Sequence, residues 1–184
     1  MINVNSLTKT FRVPVREKGL KSALRSLIKQ EYKTVAAVRE ICFAIAQGEV
    51  VGFLGPNGAG KTTTMKMLSG LLYPTSGTVN VDGYVPYQRE KEYLKAITLV
   101  MGNRRRLGWN IPVIDSFELT KEIYDIPEKE YNLFSSELIE IMDIAELLNK
   151  PARNLSLGQR MKCEFVLSLL HKPKILYLDE PTIG

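Results

Sequence analysis

Several stretches of this chain carry the short-period or unbroken apolar patterns of β-strands. Residues 2–11 alternate loosely and predict an edge strand. In VREICFAIAQGE, 38–49, Ile41, Phe43 and Ile45 fall on one face, as in a half-buried strand. EVVGFLG, 49–55, is apolar almost throughout and predicts a fully buried strand. Val79 and Val81 alternate through TVNVDG, 78–83, ahead of an Asp-Gly turn. From Ser116 to Lys150 the period lengthens to that of a helix, with Leu138, Ile141, Met142 and Ala145 on one stripe. A further helix covers 157–171. The chain closes on ILYLDEPTIG, 175–184, whose apolar half predicts a central strand of a parallel sheet.

Between the first two strands, GLKSALRSLIKQ (19–30) places Leu20, Ala23, Leu24, Leu27 and Ile28 on one side and Lys21, Arg25 and Lys29 on the other. This is the pattern of a basic amphipathic helix. It either lies on its own domain or faces a membrane-associated partner or anionic lipid headgroups. The segment also explains the charge. Nine of the Lys and Arg residues and only two acids fall between Lys9 and Arg39, a local balance of +7 within a chain of net charge +5. The basicity is regional, so it makes only a weak case for nucleic acid, and none is expected as a partner.

The 184 residues suit one domain with a real core, and no apolar run approaches the length of a bilayer span. Cys42 and Cys163 match no metal-ligand or redox spacing, and a reduced cytosolic compartment is the simplest reading.

Chemistry enters at Gly55-Pro56-Asn57-Gly58-Ala59-Gly60-Lys61-Thr62, which fits G-x-x-x-x-G-K-[ST] between a predicted strand and a predicted helix. Glycines let backbone N–H groups turn toward phosphate oxygens, and the helix N-terminus adds its positive dipole end. Lys61 is a point charge for the β and γ phosphates, and Thr62 a hydroxyl for Mg²⁺. In a nucleotide site of this kind Asp179 holds Mg²⁺, directly or through water, and Glu180 orients or deprotonates the attacking water. A third element, Leu155-Ser156-Leu157-Gly158-Gln159-Arg160, has capping-box spacing and marks a helix start. His171, the only histidine, reads as a cation at a helix C-terminus, and Trp109 as core or interface.

GPNGAGKTT, LSLGQR and YLDEPT in this order resemble the ATP-binding subunit of an ABC transporter. The resemblance implies an α/β P-loop fold: a mostly parallel core sheet, an N-terminal antiparallel β subdomain and a helical subdomain. It divides the chain into a β subdomain and P-loop core (1–100), a helical subdomain (101–155) and the signature helix with the Walker B strand (156–184). It implies ATP and Mg²⁺ as cofactors, with Asn57, Gly58, Ala59, Gly60, Thr62 and Thr63 around the phosphates and Phe11 stacked on adenine. It implies a head-to-tail dimer in which Ser156, Gly158 and Gln159 of one subunit meet the γ-phosphate held by the other. Asn103 stands where the family places a Mg²⁺-sensing glutamine, and Leu157 where the commonest signature has glycine.

The function so implied is an ATPase on the cytoplasmic face of a membrane that powers transport through a separate permease. The N-terminal insertion, LSLGQRM and DEPTIG look most like the partners of type-2 export permeases, drug exporters among them. A soluble ABC-type ATPase acting on ribosomes or in iron–sulfur assembly is the alternative. The chromosome-bridging class fits poorly, since only about 95 residues separate Lys61 from Ser156, with no sustained heptad between them. The family's switch histidine and final strands would follow Gly184, so the chain reads as a C-terminally truncated cassette of low activity on its own.

Overall fold

The computed structural model describes residues 1–14, 32–102 and 106–180. The predicted 19–30 helix and Asn103 lie outside the described residues. The chain divides into two compact units, Met1–Arg89 and Glu90–Gly184.

The first unit is built on a three-stranded antiparallel sheet in the order β2-β1-β3, with β1 at Ile2–Pro14, β2 at Tyr32–Ile45 and β3 at Ser76–Val81. β1 is therefore the central strand, not the predicted edge. Loose alternation shows that one face is buried, but not how many neighbours a strand has. Ile2, Val4, Leu7, Val38, Val79 and Val81 form the buried face. Ile41, Phe43 and Ile45 are half-buried between exposed neighbours, as their spacing predicts. The register shifts after Val4, where Ser6 takes φ 46°. The displaced Ser6 N–H donates to Cys42 Sγ at 3.0 Å, and Glu40 N–H to Thr8 Oγ1 at 3.0 Å, so the bulge leaves neither amide unpaired. Gly77 lies against this bulge at φ 85°, where a Cβ would strike the Ser6 carbonyl. The Asp82-Gly83 turn forms with Val81 and Tyr84 exchanging both backbone hydrogen bonds, at 2.8 and 2.9 Å.

The predicted strand at 49–55 does not form. Val50 is 101% and Leu54 96% exposed, and no described strand pairs with this run. An apolar run becomes a buried strand only when neighbours supply both ladders and both faces, and none does so here.

In the second unit β4 (Ile97–Met101) and β5 (Ile175–Asp179) pair in parallel, from Ile97 opposite Ile175 to Met101 opposite Asp179. The parallel expectation for β5 holds, with one described neighbour. α2 (Lys91–Ala96) leads into β4, and helices α3 (Val113–Ile123), α4 (Glu128–Met142) and α5 (Leu157–Leu169) enclose a core of Phe117, Tyr131, Ile144, Leu147, Cys163 and Val166. The predicted stripe is only half right. Leu138 is buried, but Ile141 is 69% exposed and Ala145 is exposed. α4 ends at Met142, and Asp143 at φ 51° turns the chain, so Ile144 and Leu147 replace Ala145 on the core side. Burial pushes the Cys163 thiol up to about 11, which leaves it inert.

His171 corrects another expectation. Its ring stacks on Tyr124 at 4.0 Å, and Nε2–H donates to the Ile97 carbonyl at 3.4 Å. Burial pushes its pKa below the ordinary value; the Ile97 hydrogen bond opposes this and the nearby Arg106 charge adds to it. It is a neutral packing group, not a helix-end cation. Because the folded pKa lies below the unfolded value of about 6.5, the unfolded chain takes up this proton first. Stability is expected to fall as pH drops below about 6.5, and His171→Gln to flatten that fall in urea midpoints measured at about pH 7.5 and about pH 5.5.

Candidate functional site

α1 (Lys61–Leu68) begins directly after the Gly55–Gly60 turn. Its N-cap is Gly60 at φ 92°, which contributes no side-chain cap, and no acid stands in its first turn. No acid of its own first turn offsets the positive end of the helix, which favours an anion there. Gly60 is also forced by space, since a Cβ there would run into the Ala37 carbonyl of β2. Residues Gly55, Asn57, Gly58 and Ala59 are all exposed, and Ala59 N–H closes the turn onto the Pro56 carbonyl at 3.1 Å. Lys61 Nζ curls back over the loop and donates to the carbonyls of Gly55 at 2.6 Å and Pro56 at 3.0 Å. The ammonium therefore sits at the loop, held by two neutral acceptors that a phosphate oxygen would outcompete. Thr62 and Thr63 follow, both half-buried. A cavity of about 390 Å³ adjoins the loop, bordered by Val38, Phe43, Phe53, Lys61 and Thr64. Phe11 lies on the β1–β2 pair, 38% exposed, with the Lys9 ammonium 5.3 Å from its ring centre.

In the second unit the two adjacent acids part company. Asp179 ends β5 at 7% exposure, and its carbonyl accepts from Gly102 N–H at 3.2 Å. Glu180 is exposed and takes φ 49°, in the left-handed region. One carboxylate is fixed and sheltered, the other is at the solvent side. Among the described residues no cluster of three or more His, Cys, Asp or Glu side chains forms a metal cage. The Thr62 hydroxyl in the first unit and the Asp179 carboxylate in the second are each hard oxygen donors of the kind Mg²⁺ takes.

The capping box at α5 is complete. Ser156 Oγ accepts from Gln159 N–H at 3.2 Å, and Gln159 Oε1 accepts from Ser156 N–H at 2.9 Å. Ser156 Oγ is used here as an acceptor, so its proton remains for an outside acceptor. A Cβ on Gly158 would meet nothing within 4 Å. The chain itself does not need glycine there, which is what close approach by an external group would require. Two contacts were not foreseen: Arg160 lies 6.0 Å from the Trp109 ring, and Arg153 Nη1 donates to Asn110 Oδ1 at 3.0 Å. They brace the start of α5 against residues more than forty positions away, for which no local pattern exists. Ser156→Ala is expected to cost about 1 kcal/mol in chemical denaturation, the ordinary worth of such a cap.

The ABC transporter family model matches residues 38–183. This chain belongs to that family. ABC transporter ATP-binding protein NatA of Bacillus subtilis (strain 168) is 32% identical over 152 residues, covering 83% of this chain and 62% of NatA. The probable multidrug ABC transporter ATP-binding protein YbhF of Escherichia coli (strain K12) is 33% identical over 155 residues, covering 84% of this chain and 27% of YbhF. The chain thus spans about three-fifths of NatA's length. Among solved structures, the ATP-binding subunit of an ABC transporter superposes with a TM-score of 0.79 at 22% identity, over 100% of this chain and 67% of that one. The fold is that of an ABC cassette, with its antiparallel N-terminal sheet and helices.

Proposed function

We propose that this chain binds Mg-ATP and forms the hydrolytic subunit of a membrane transport system, acting as a dimer beneath a separate export permease. The observation that carries the reading is the opening of α1: a glycine-capped helix with no first-turn acid and Lys61 at its first position. Backbone amides and the helix dipole would hold the phosphates, with Lys61 moving from its two carbonyls to them. Phe11 would stack on adenine. Thr62 and Asp179 would hold Mg²⁺, which supplies neutralisation of charge on the phosphate oxygens. Asp179 suits this role by being sheltered at a strand end. Glu180, exposed and next to it, would orient or deprotonate the attacking water. Ser156, with its proton available, and Gly158, open on its outer side, would reach the γ-phosphate of a second copy, and Gln159 would keep that helix start in shape.

The names of NatA and YbhF support transport, and YbhF's multidrug name supports export. No described helix is long and apolar enough to cross a membrane. Titration with a fluorescent ATP analogue, followed by phosphate release with and without Mg²⁺, tests it. Absence of nucleotide binding would remove it.

A further inference from the structure

A two-stranded ribbon stands beyond the three-stranded sheet. β3 accompanies β1 only as far as Thr8, whereas β1 and β2 remain paired out to Pro14 and Tyr32. In the last four pairs, from Phe11 opposite Val35 to Pro14 opposite Tyr32, every residue is exposed. Four of these side chains are large and apolar: Phe11, Val13, Tyr32 and Val35 are 38%, 46%, 52% and 44% exposed. Phe11, Val13 and Val35 share one face of the ribbon with Lys33, and Tyr32 lies on the other with Arg12. A two-stranded ribbon is marginal in water, and apolar exposure of this kind marks a contact surface.

Charge selects the partner. Across residues 8–14 and 32–39 the charged side chains are Lys9, Arg12, Lys33 and Arg39, with no carboxylate among them. The Arg12 guanidinium rests 5.5 Å from the Tyr32 ring centre, so cation and aromatic share one face. A second copy placed here would set cation against cation. Cations interleaved with aromatic and aliphatic groups suit the headgroup level of an anionic bilayer.

We propose that the ribbon of residues 9–14 and 32–36 is a peripheral contact with an anionic phospholipid surface. The proposal rests on the reading of the chain as the ATPase of a membrane transport system, which brings it to a bilayer. By the register, Arg12 and Tyr32 from one face of the ribbon and Lys33 and Val13 from the other make the contact, the narrow ribbon presenting both faces to the headgroups; Phe11 is left to the nucleotide.

The test is flotation of the protein with phosphatidylcholine vesicles, with and without about one-third phosphatidylglycerol. Wild type is expected to float with the anionic vesicles, less so as salt rises. Arg12→Gln with Lys33→Gln should weaken that binding about 25-fold, at about fivefold per cation, while Arg12→Lys with Lys33→Arg retains it. Tyr32→Ser with Val13→Ser should weaken it without changing the salt dependence. Nucleotide binding is measured beside each variant. Intact nucleotide binding with lost flotation supports the ribbon, and absent nucleotide binding in wild type removes the ATPase reading instead. The proposal is overturned if wild type shows no preference for anionic vesicles or if the Gln pair floats as wild type does. Tighter binding to a single-stranded oligonucleotide than to vesicles would overturn it as well, and assign the ribbon to nucleic acid.

Discussion

Glu180→Gln is expected to keep nucleotide binding and to slow turnover on the order of 10²–10⁴-fold, the usual worth of a general base. The structure separates this residue from its neighbour. Asp179 is sheltered at the end of β5, whereas Glu180 is exposed just past it, where the backbone turns left-handed. Glutamine keeps the size and the hydrogen-bonding oxygen but cannot take a proton. The measurement is phosphate release by the protein assembled with its membrane partner, alongside nucleotide affinity. Undiminished turnover would take the base role from Glu180.

Lys61→Ala acts on the other half of the process. Removing a charged donor to phosphate is expected to raise the nucleotide dissociation constant about 10- to 150-fold, or about 1.5–3 kcal/mol. Part of the loss has a second origin, because Lys61 Nζ also ties the Gly55 and Pro56 carbonyls together. Lys61→Arg separates the two: it keeps a cation to bridge the loop but not the compact ammonium that fits between phosphates. Recovery of the urea midpoint without recovery of affinity is the expected result. Equal loss of binding in the Glu180 and Lys61 variants would dissolve the division of labour between them.

Features settled within a few residues were legible from sequence. The glycine turn into α1, the Ser156–Gln159 box and the Asp82-Gly83 turn each follow from dihedral freedom or a hydrogen bond over one to three positions. The period-two face of β2 was equally plain. What failed depends on distant neighbours. Residues 49–55 are greasy enough for a buried strand, yet no described strand pairs with them. β1 is central because both β2 and β3 come to it. The α4 stripe broke where Asp143 turned the chain, and a left-handed aspartate leaves no periodic signal. His171 reads as a helix-end cation until Tyr124 and Ile97, both remote in sequence, pack against it. At the site, residue types were readable from the motifs, whereas the sheltering of Asp179 and the empty space around Gly158 came only from the fold.

The tight approach of Gly60 to the Ala37 carbonyl has a mechanical side. Ala37 lies at the root of the β1–β2 ribbon, whose free part, at about 3.3 Å per residue, reaches roughly 20 Å beyond Thr8. Taken with the membrane contact proposed for the ribbon, the closeness of Gly60 to Ala37 would serve as the fulcrum of a lever against the phosphate loop. If so, holding the far part of the ribbon changes nucleotide binding, and thermodynamic reciprocity makes the two effects equal. Saturating nucleotide should change the affinity for anionic vesicles by the same factor as saturating vesicles change the affinity for nucleotide. Replacing Gly60 would jam the fulcrum and alter both factors together, while a factor of one in each direction would mean that the lever carries no force.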